Sequence, residues 1–351
     1  MSLDPSYRSR PPFDLRGVRW KQADLLERED AEAVLRGAEI AIVCAGKVST
    51  TAELRRDPMA SVVDTLRIGV NVLEAAARLG VERLVLLSSC TGYPEGGGTK
   101  EEAGMFAGDP PSGWFGVGWT HRFLEKQLEW YALHLGRIAS ATVLRPTLVY
   151  GPHDDFSQAS SHFVPSMIAQ VVARQRPIEL WGDGSQTRNL IHAAHVASAI
   201  VAALAATPGY AAYNVAAPRS VSINDVPGTL IEVDGFADAE IVPQARSGER
   251  SVGTRSIGLV VRGTLWMAAG AVAARWPCVD GSVVPPQPRV SGLGNGCLRS
   301  TPARANSPEG RAGSSGREFP ASSRCAPRIS RYWEFADRRR SGAGDRDRFP
   351  S

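Results

Sequence analysis

Two apolar runs, Leu84–Leu87 and Thr142–Leu144, each stop abruptly in a polar segment, and this pattern constrains the fold more than any other feature of the chain. The first run delivers Ser88-Ser89-Cys90. The second delivers Arg145-Pro146, then the Gly151-Pro152 turn and two histidines, His153 and His162. Short continuous apolar runs bounded by turn residues read as strands buried on both faces. Such strands belong to parallel sheets covered by helices. Ligands of these sheets bind beyond the carboxyl ends of the strands. Hydroxyl, thiol, guanidinium and imidazole groups at two strand exits therefore mark a chemical site.

Around these runs the periodicity alternates. Glu39–Cys44 reads as a short buried strand. Met59–Leu79 carries Val62, Val63, Leu66, Val70, Leu73 and Ala77 at helical spacing, and Gly80 ends it. Arg83–Ser88 is the next strand, Phe115–Leu135 a second helix and Ser140–Leu144 another strand. Phe163–Arg174 and Ala194–Ala206 are further helices. This β-α-β-α order, from about Val18 to Asn224, predicts an α/β fold: a Rossmann-like doubly wound parallel sheet with a small C-terminal substrate lobe.

A dinucleotide-binding sheet of this kind opens with a strand and a Gly-rich turn, whose backbone N–H groups hold a pyrophosphate at a helix N-terminus. No such turn precedes Glu39, so the sheet is expected to lack its first strand and Gly-rich loop, as if the sequence were entered part-way. Patterning fades after about Ile257, and residues 281–351 are rich in Arg, Gly, Pro and Ser with few aliphatics. Such a segment buries too little apolar surface to offset its ordering entropy. The expected division is a truncated nucleotide-binding domain over 1–150, a substrate lobe over 151–257 and a disordered tail over 258–351. An arginine-rich, lysine-free tail is also what a frameshift in a GC-rich gene produces.

All four lysines fall within the first 126 residues, and the net charge of +4 comes partly from the tail. It is poor support for nucleic-acid binding. No apolar run approaches the ~18 residues of a membrane span, and nothing reads as a signal peptide. The five cysteines are odd in number and none has metal-ligand spacing. A cytoplasmic protein without a bound metal is expected.

Several stretches together resemble the extended short-chain dehydrogenase/reductases, specifically the NAD-dependent epimerase/dehydratase family and, within it, the GDP-L-fucose synthase group. They are Ala45-Gly46-Lys47-Val48, Ser88-Ser89-Cys90 with Tyr93-Pro94, Arg145-Pro146-Thr147 through His162, Trp181-Gly182-Asp183-Gly184 with Arg188, and Tyr213-Asn214-Val215. The resemblance implies an NAD(P)-dependent epimerase or reductase acting on a 4-keto sugar nucleotide. It assigns acid/base work to Cys90 and His162, a pair whose pKa values must lie near working pH. It makes Ser88 the partner of the substrate carbonyl, and Arg188, Ser89 and Tyr93 substrate-binding residues, with Arg188 on the diphosphate. For the cofactor, NADP or NAD, it points to Asp4, with Arg8 as the alternative signal for a 2′-phosphate. Asp24, Leu25, Ala45, Gly46 and Lys47 join them on the cofactor side. It also implies a homodimer built on the helices Met59–Leu79 and Phe115–Leu135.

The family's Tyr-x-x-x-Lys pair is absent from the chain: Val117 falls at the tyrosine position and His121 at the lysine position. Simpler roles stand beside these assignments. Cys90 reads equally as a small buried hydrophobe, His162 as a polar residue near a helix N-cap, His153 as part of a turn, Arg188 as a surface arginine, and Asn71 as helix packing. Three functions stay open: the enzyme, a non-catalytic nucleotide or nucleotide-sugar binding protein, and an inactive product of a damaged gene.

Overall fold

The computed structural model describes residues 19, 21–47, 57, 59–96, 100–152, 154–156, 161–181, 184 and 186–244. Asp4, Arg8, His153 and the whole of the predicted tail lie outside the described residues. In chain order the helices are α1 (Arg28–Leu35), α2 (Ala60–Leu79), α3 (Phe115–Glu129), α4 (Phe163–Val172), α5 (Ala193–Ala203) and α6 (Asp225–Asp234). The strands are β1 (Ile40–Val43), β2 (Arg83–Leu87), β3 (Ser140–Pro146), β4 (Leu148–Tyr150), β5 (Ile178–Trp181), β6 (Thr187–Arg188), β7 (Leu190–His192), β8 (Gly209–Val215), β9 (Val221–Ser222) and β10 (Ile241–Gln244).

The central sheet has the order β1-β2-β3-β8, with every pairing parallel. Its register sets Leu86 beside Val143, and Arg145 beside Asn214. All four strands therefore end on the same edge. Alternation along each strand sorts side chains to two faces. Ala41, Val43, Leu84, Leu86, Ala141 and Val143 pack on one face with Leu73 and Ala76 of α2 and with Leu124 and Leu128 of α3. Val85, Leu144 and Val215 face the other way, onto Val196, Ala199 and Ala203 of α5. This is a doubly wound Rossmann-like sheet. Among the described residues the cover is incomplete at one strand: Ile40 and Ile42 of β1 are 48% and 45% exposed on the face that α5 covers further along.

Local chemistry accounts for the helix boundaries. Gly80 ends α2 at φ 75°, a left-handed conformation that costs glycine little. Asp24 shapes the entry to α1, its carboxylate accepting the Leu26 N–H at 3.0 Å. The second predicted helix loses its α geometry after Glu129, and Trp130–His134 forms a π turn.

The chain crosses back over the division expected at residue 150. β8 and α5, both beyond that point, belong to the central sheet and its cover. The remaining segments form a lobe with a separate core, in which α4, β5, α6 and Phe236 pack together and β10 pairs with β5. Among the described residues no helix is long and apolar enough to cross a membrane.

Candidate active site

A chain of buried polar groups holds the carboxyl ends of β2, β3 and β8 together. Ser88 continues the ladder of β2 by donating its N–H to Leu144 O at 2.8 Å. Its hydroxyl turns inward and donates to Glu125 Oε1 of α3 at 2.5 Å. The same carboxylate forms a forked pair with Arg145, with Nη2 to Oε2 at 2.7 Å and Nε to Oε1 at 3.1 Å. Arg145 Nη1 donates onward to Tyr93 Oη at 3.1 Å and to the Glu102 carbonyl at 2.9 Å. Tyr93 Oη donates to Asn214 Oδ1 at 2.6 Å. Asn214 in turn donates its N–H to the Glu102 carboxylate at 3.0 Å and its amide to Lys100 O at 3.1 Å. Glu125 is 0% exposed and Arg145 3% exposed, so each charge depends on the other and on these bonds.

Beside this network sits the turn that carries the thiol. Ser89 caps the 3-10 turn Cys90–Gly92, its Oγ accepting from Thr91 N at 3.2 Å and from the Thr91 hydroxyl at 2.9 Å. Two glycines let the surroundings close on it. A Cβ at Gly92 would run into Met105, and one at Gly118 would lie 2.8 Å from Thr91 O and 2.6 Å from Pro110. Cys90 is half-buried against Tyr93, Met105 and Ala216. Burial pushes its thiol up to about 11, so the group is a protonated acid at neutral pH and not a thiolate.

The other expected residues occupy separate places. His162 stands half-buried at the N-cap of α4, and its carbonyl accepts the Ser166 N–H at 2.9 Å. Burial raises the nearby Asp154 carboxyl, while the charge of His162 acts in the opposite sense. Among the described residues no hydrogen bond joins His162 to Cys90. His121 lies on α3, where burial lowers its imidazole to about 4 and keeps it neutral. Arg188 is half-buried on β6 and donates to Gln186 Oε1 at 2.7 Å. Tyr93 is 0% exposed, and its hydroxyl is taken up by the network.

On the cofactor side, Leu25 is buried in the core, while the Asp24 carboxylate is engaged with the Leu26 N–H. Asn71 donates to Leu25 O at 3.0 Å and Leu26 O at 2.9 Å, which pins this segment to α2. Ala45 and Gly46 lie half-buried beyond β1, where a Cβ on Gly46 would meet Thr65 at 3.4 Å, an ordinary contact. Lys47 is tied to Asp64 at 2.9 Å. Glu125, Glu102 and Thr91 were not singled out from the sequence. Glu125 lies four residues, about one helical turn, beyond His121 on a face shared with Leu128, and that is its one sequence signal.

A doubly wound sheet whose strand exits present a thiol, hydroxyls and a buried Arg–Glu pair belongs to the Rossmann-like class, whose ligands bind at the carboxyl edge. Residues 2–216 match the model of the NAD dependent epimerase/dehydratase family, and the chain belongs to that family. It is 27% identical over 226 residues to the probable GDP-L-fucose synthase 1 of Oryza sativa subsp. japonica, a match covering 61% of this chain and 67% of that one. Its fold is similar to that of the UDP-glucose 4-epimerase of Thermus thermophilus in complex with NAD (TM-score 0.59, 23% identity, 73% of this chain and 80% of that one). It is also similar to that of the GDP-mannoheptose C4 reductase of Campylobacter jejuni with NADP bound (TM-score 0.59, 16% identity, 71% and 82%).

Glu125→Ala leaves the Arg145 guanidinium buried without its counter-charge and should cost about 3–5 kcal/mol of stability, measured by urea unfolding. A loss under about 1 kcal/mol would show that the pair does not hold the strand exits. Alkylation of Cys90 by iodoacetamide, taken as the difference between the wild type and Cys90→Ser, should rise about tenfold per pH unit through pH 9 and level off only near 11. A plateau at pH 8.5 would contradict the burial of the thiol.

Proposed function

We propose that this protein acts on a 4-keto sugar nucleotide and catalyses proton transfer at the carbons beside the ketone, as an epimerase. The observation that carries this reading is the place of the Cys90 thiol, on a turn at the carboxyl edge of the sheet against which Gly118 packs. At about 11 the thiol lies above the working range the resemblance asks for, so it can serve as a proton donor only. The 4-keto group acidifies the neighbouring C–H bonds. His162 takes the proton from one ring face and the C–H electron pair moves into the enolate. Cys90 S–H then donates its proton to that carbon from the opposite face, leaving a thiolate that solvent reprotonates. Arg188 is the group for the nucleotide diphosphate, since a guanidinium suits forked phosphate contact.

NAD or NADP is the cofactor bound by the two structural relatives, and it would supply hydride for reduction at C4. The described residues fit it poorly. The Asp24 carboxylate and the Lys47 ammonium already hold protein partners, and Val117 and His121 offer neither a phenol nor a cation. The steps above therefore use only the chain's own proton donors and acceptors. The same mismatch favours, as the second reading, a nucleotide-sugar binding protein without chemistry.

The helix α3 also supports the homodimer. Phe115, Trp119 and Phe123, spaced by four along one face, are 50%, 41% and 53% exposed. A contiguous apolar stripe of this kind is the mark of an interaction surface.

In D2O, the protein incubated with GDP-linked 4-keto-6-deoxymannose should place deuterium beside the ketone, followed by NMR or mass; His162→Asn should abolish this, and Cys90→Ser should abolish the inverted product while leaving exchange on the original face. Binding of GDP without any exchange would select the second reading. Trp119→Glu should convert a dimer to a monomer in sedimentation velocity, and a wild type that sediments as a monomer at tens of micromolar would remove the dimer.

A further inference from the structure

The strand β1 has two unmet demands. Among the described residues it pairs only with β2, so the backbone N–H and C=O groups of its other edge face no strand. Its Ile40 and Ile42 side chains are 48% and 45% exposed on the α5 side of the sheet, and Cys44, next in the alternation, is exposed as well. Strands of parallel sheets are ordinarily covered on both faces, because the connections between them lay helices there. One strand for the edge, followed by one helix for the face, would meet both demands.

The sequence outside the described residues offers a segment of that form. Ile257-Gly258-Leu259-Val260-Val261 is a run of strand length, aliphatic but for Gly258 and close to the four residues of β1. Arg262-Gly263 follows, then Thr264, a residue suited to a helix N-cap. The next stretch, Leu265 to Trp276, is apolar and rich in alanine, with Arg275 near its end and Pro277 to stop it. As a helix it would be about 18 Å long, which matches the ~17 Å of a five-residue strand. The other long stretches lack this pattern. Residues 1–18 contain Pro5, Pro11 and Pro12 and no apolar run, and residues 281–351 are rich in Arg, Gly, Pro and Ser. A second copy of the chain could pair through β1, but it would bring no helix and leave the isoleucines of both copies uncovered. Reach is sufficient: the described strands end at Gln244, and residues 245–256 span up to about 40 Å when extended.

We propose that residues 257–276 dock on β1, with Ile257–Val261 as a further strand on its open edge and Leu265–Trp276 as a helix over Ile40 and Ile42. This removes residues 258–276 from the stretch for which composition predicts disorder. It holds whether or not the protein moves protons on a sugar, because it concerns the edge of the sheet alone.

Hydrogen–deuterium exchange of the full chain, read by mass spectrometry of peptic fragments, tests the docking. Amides of Leu259–Val261 and Leu265–Trp276 should exchange about a hundredfold more slowly than in a synthetic peptide of the same sequence. Ile42→Lys changes a side chain already at the surface, and it should return both stretches to the peptide rate. Leu259→Asp, a change outside the described fold, should do the same. In both variants the amides of β3 should stay as protected as in the wild type. Exchange of residues 257–276 at the peptide rate in the wild type would overturn the proposal. Protection that survives Ile42→Lys would also overturn it, because the segment would then be held elsewhere. Protection of β1 that weakens on dilution, while residues 257–276 exchange freely, would give the edge to a second copy and reject the docking.

Discussion

The buried pair between Glu125 and Arg145 is the interaction on which the strand exits depend. A carboxylate and a guanidinium without access to water are stabilising only when each is fully partnered, since desolvation of either charge costs several kcal/mol. Here Arg145 spends its donors on Glu125, Tyr93 and the Glu102 carbonyl, while Glu125 receives Ser88 as well. Three parallel strands, the long helix α3 and the segment around Glu102 are thereby fixed to one pair of charges. Removing one partner threatens a large share of the ~5–15 kcal/mol that stabilises a typical domain. The thiol turn inherits its position from this arrangement, because Tyr93 belongs to the network and also packs on Cys90.

Partition between rigid and reactive groups follows from the same geometry. Groups turned into the sheet, Ser88, Tyr93 and Asn214, are saturated with protein partners. On the Cys90 turn the Ser89 and Thr91 hydroxyls bond to each other, and of their two protons that bond uses one. Chemistry at the edge of a parallel sheet needs both kinds: a fully satisfied inner set that does not move, and an outer set with something left to offer a ligand.

Much of this fold was legible in the sequence. Gly80 after an amphipathic run marked the end of α2, and apolar runs of four or five residues located β1 and β2 to within one residue. Strand register and layer assignment were not legible, because they depend on contacts distant in sequence such as Arg145 beside Asn214. The same limit applies to the site. The family motif picked out Ser88 by its place in Ser-Ser-Cys, but which of two adjacent serines faces outward depends on where the strand stops and on a glutamate 37 residues away. Thr91 carried no signal in one dimension, since its relation to Ser89 arises from the turn itself. His121 could be placed by counting along the helix, yet its neutral state comes from burial, which the count does not reveal.

The close packing at Gly92 and Gly118 bears on how this chain can change over evolution. Every single-base substitution of a glycine codon that still encodes a different amino acid adds at least a Cβ. At these two positions that carbon meets Met105 or the Thr91 carbonyl. Drift is therefore blocked at Gly118 on the inner side of α3. Trp119 is tied to the turn through Arg122, whose guanidinium lies over its ring and donates to the Gly92 carbonyl, whereas Phe115 and Phe123 are half-exposed on the outer side. One helix thus carries a surface closed to added atoms and, on its other side, half-exposed rings at which substitutions at Phe115 and Phe123 leave that closed surface untouched.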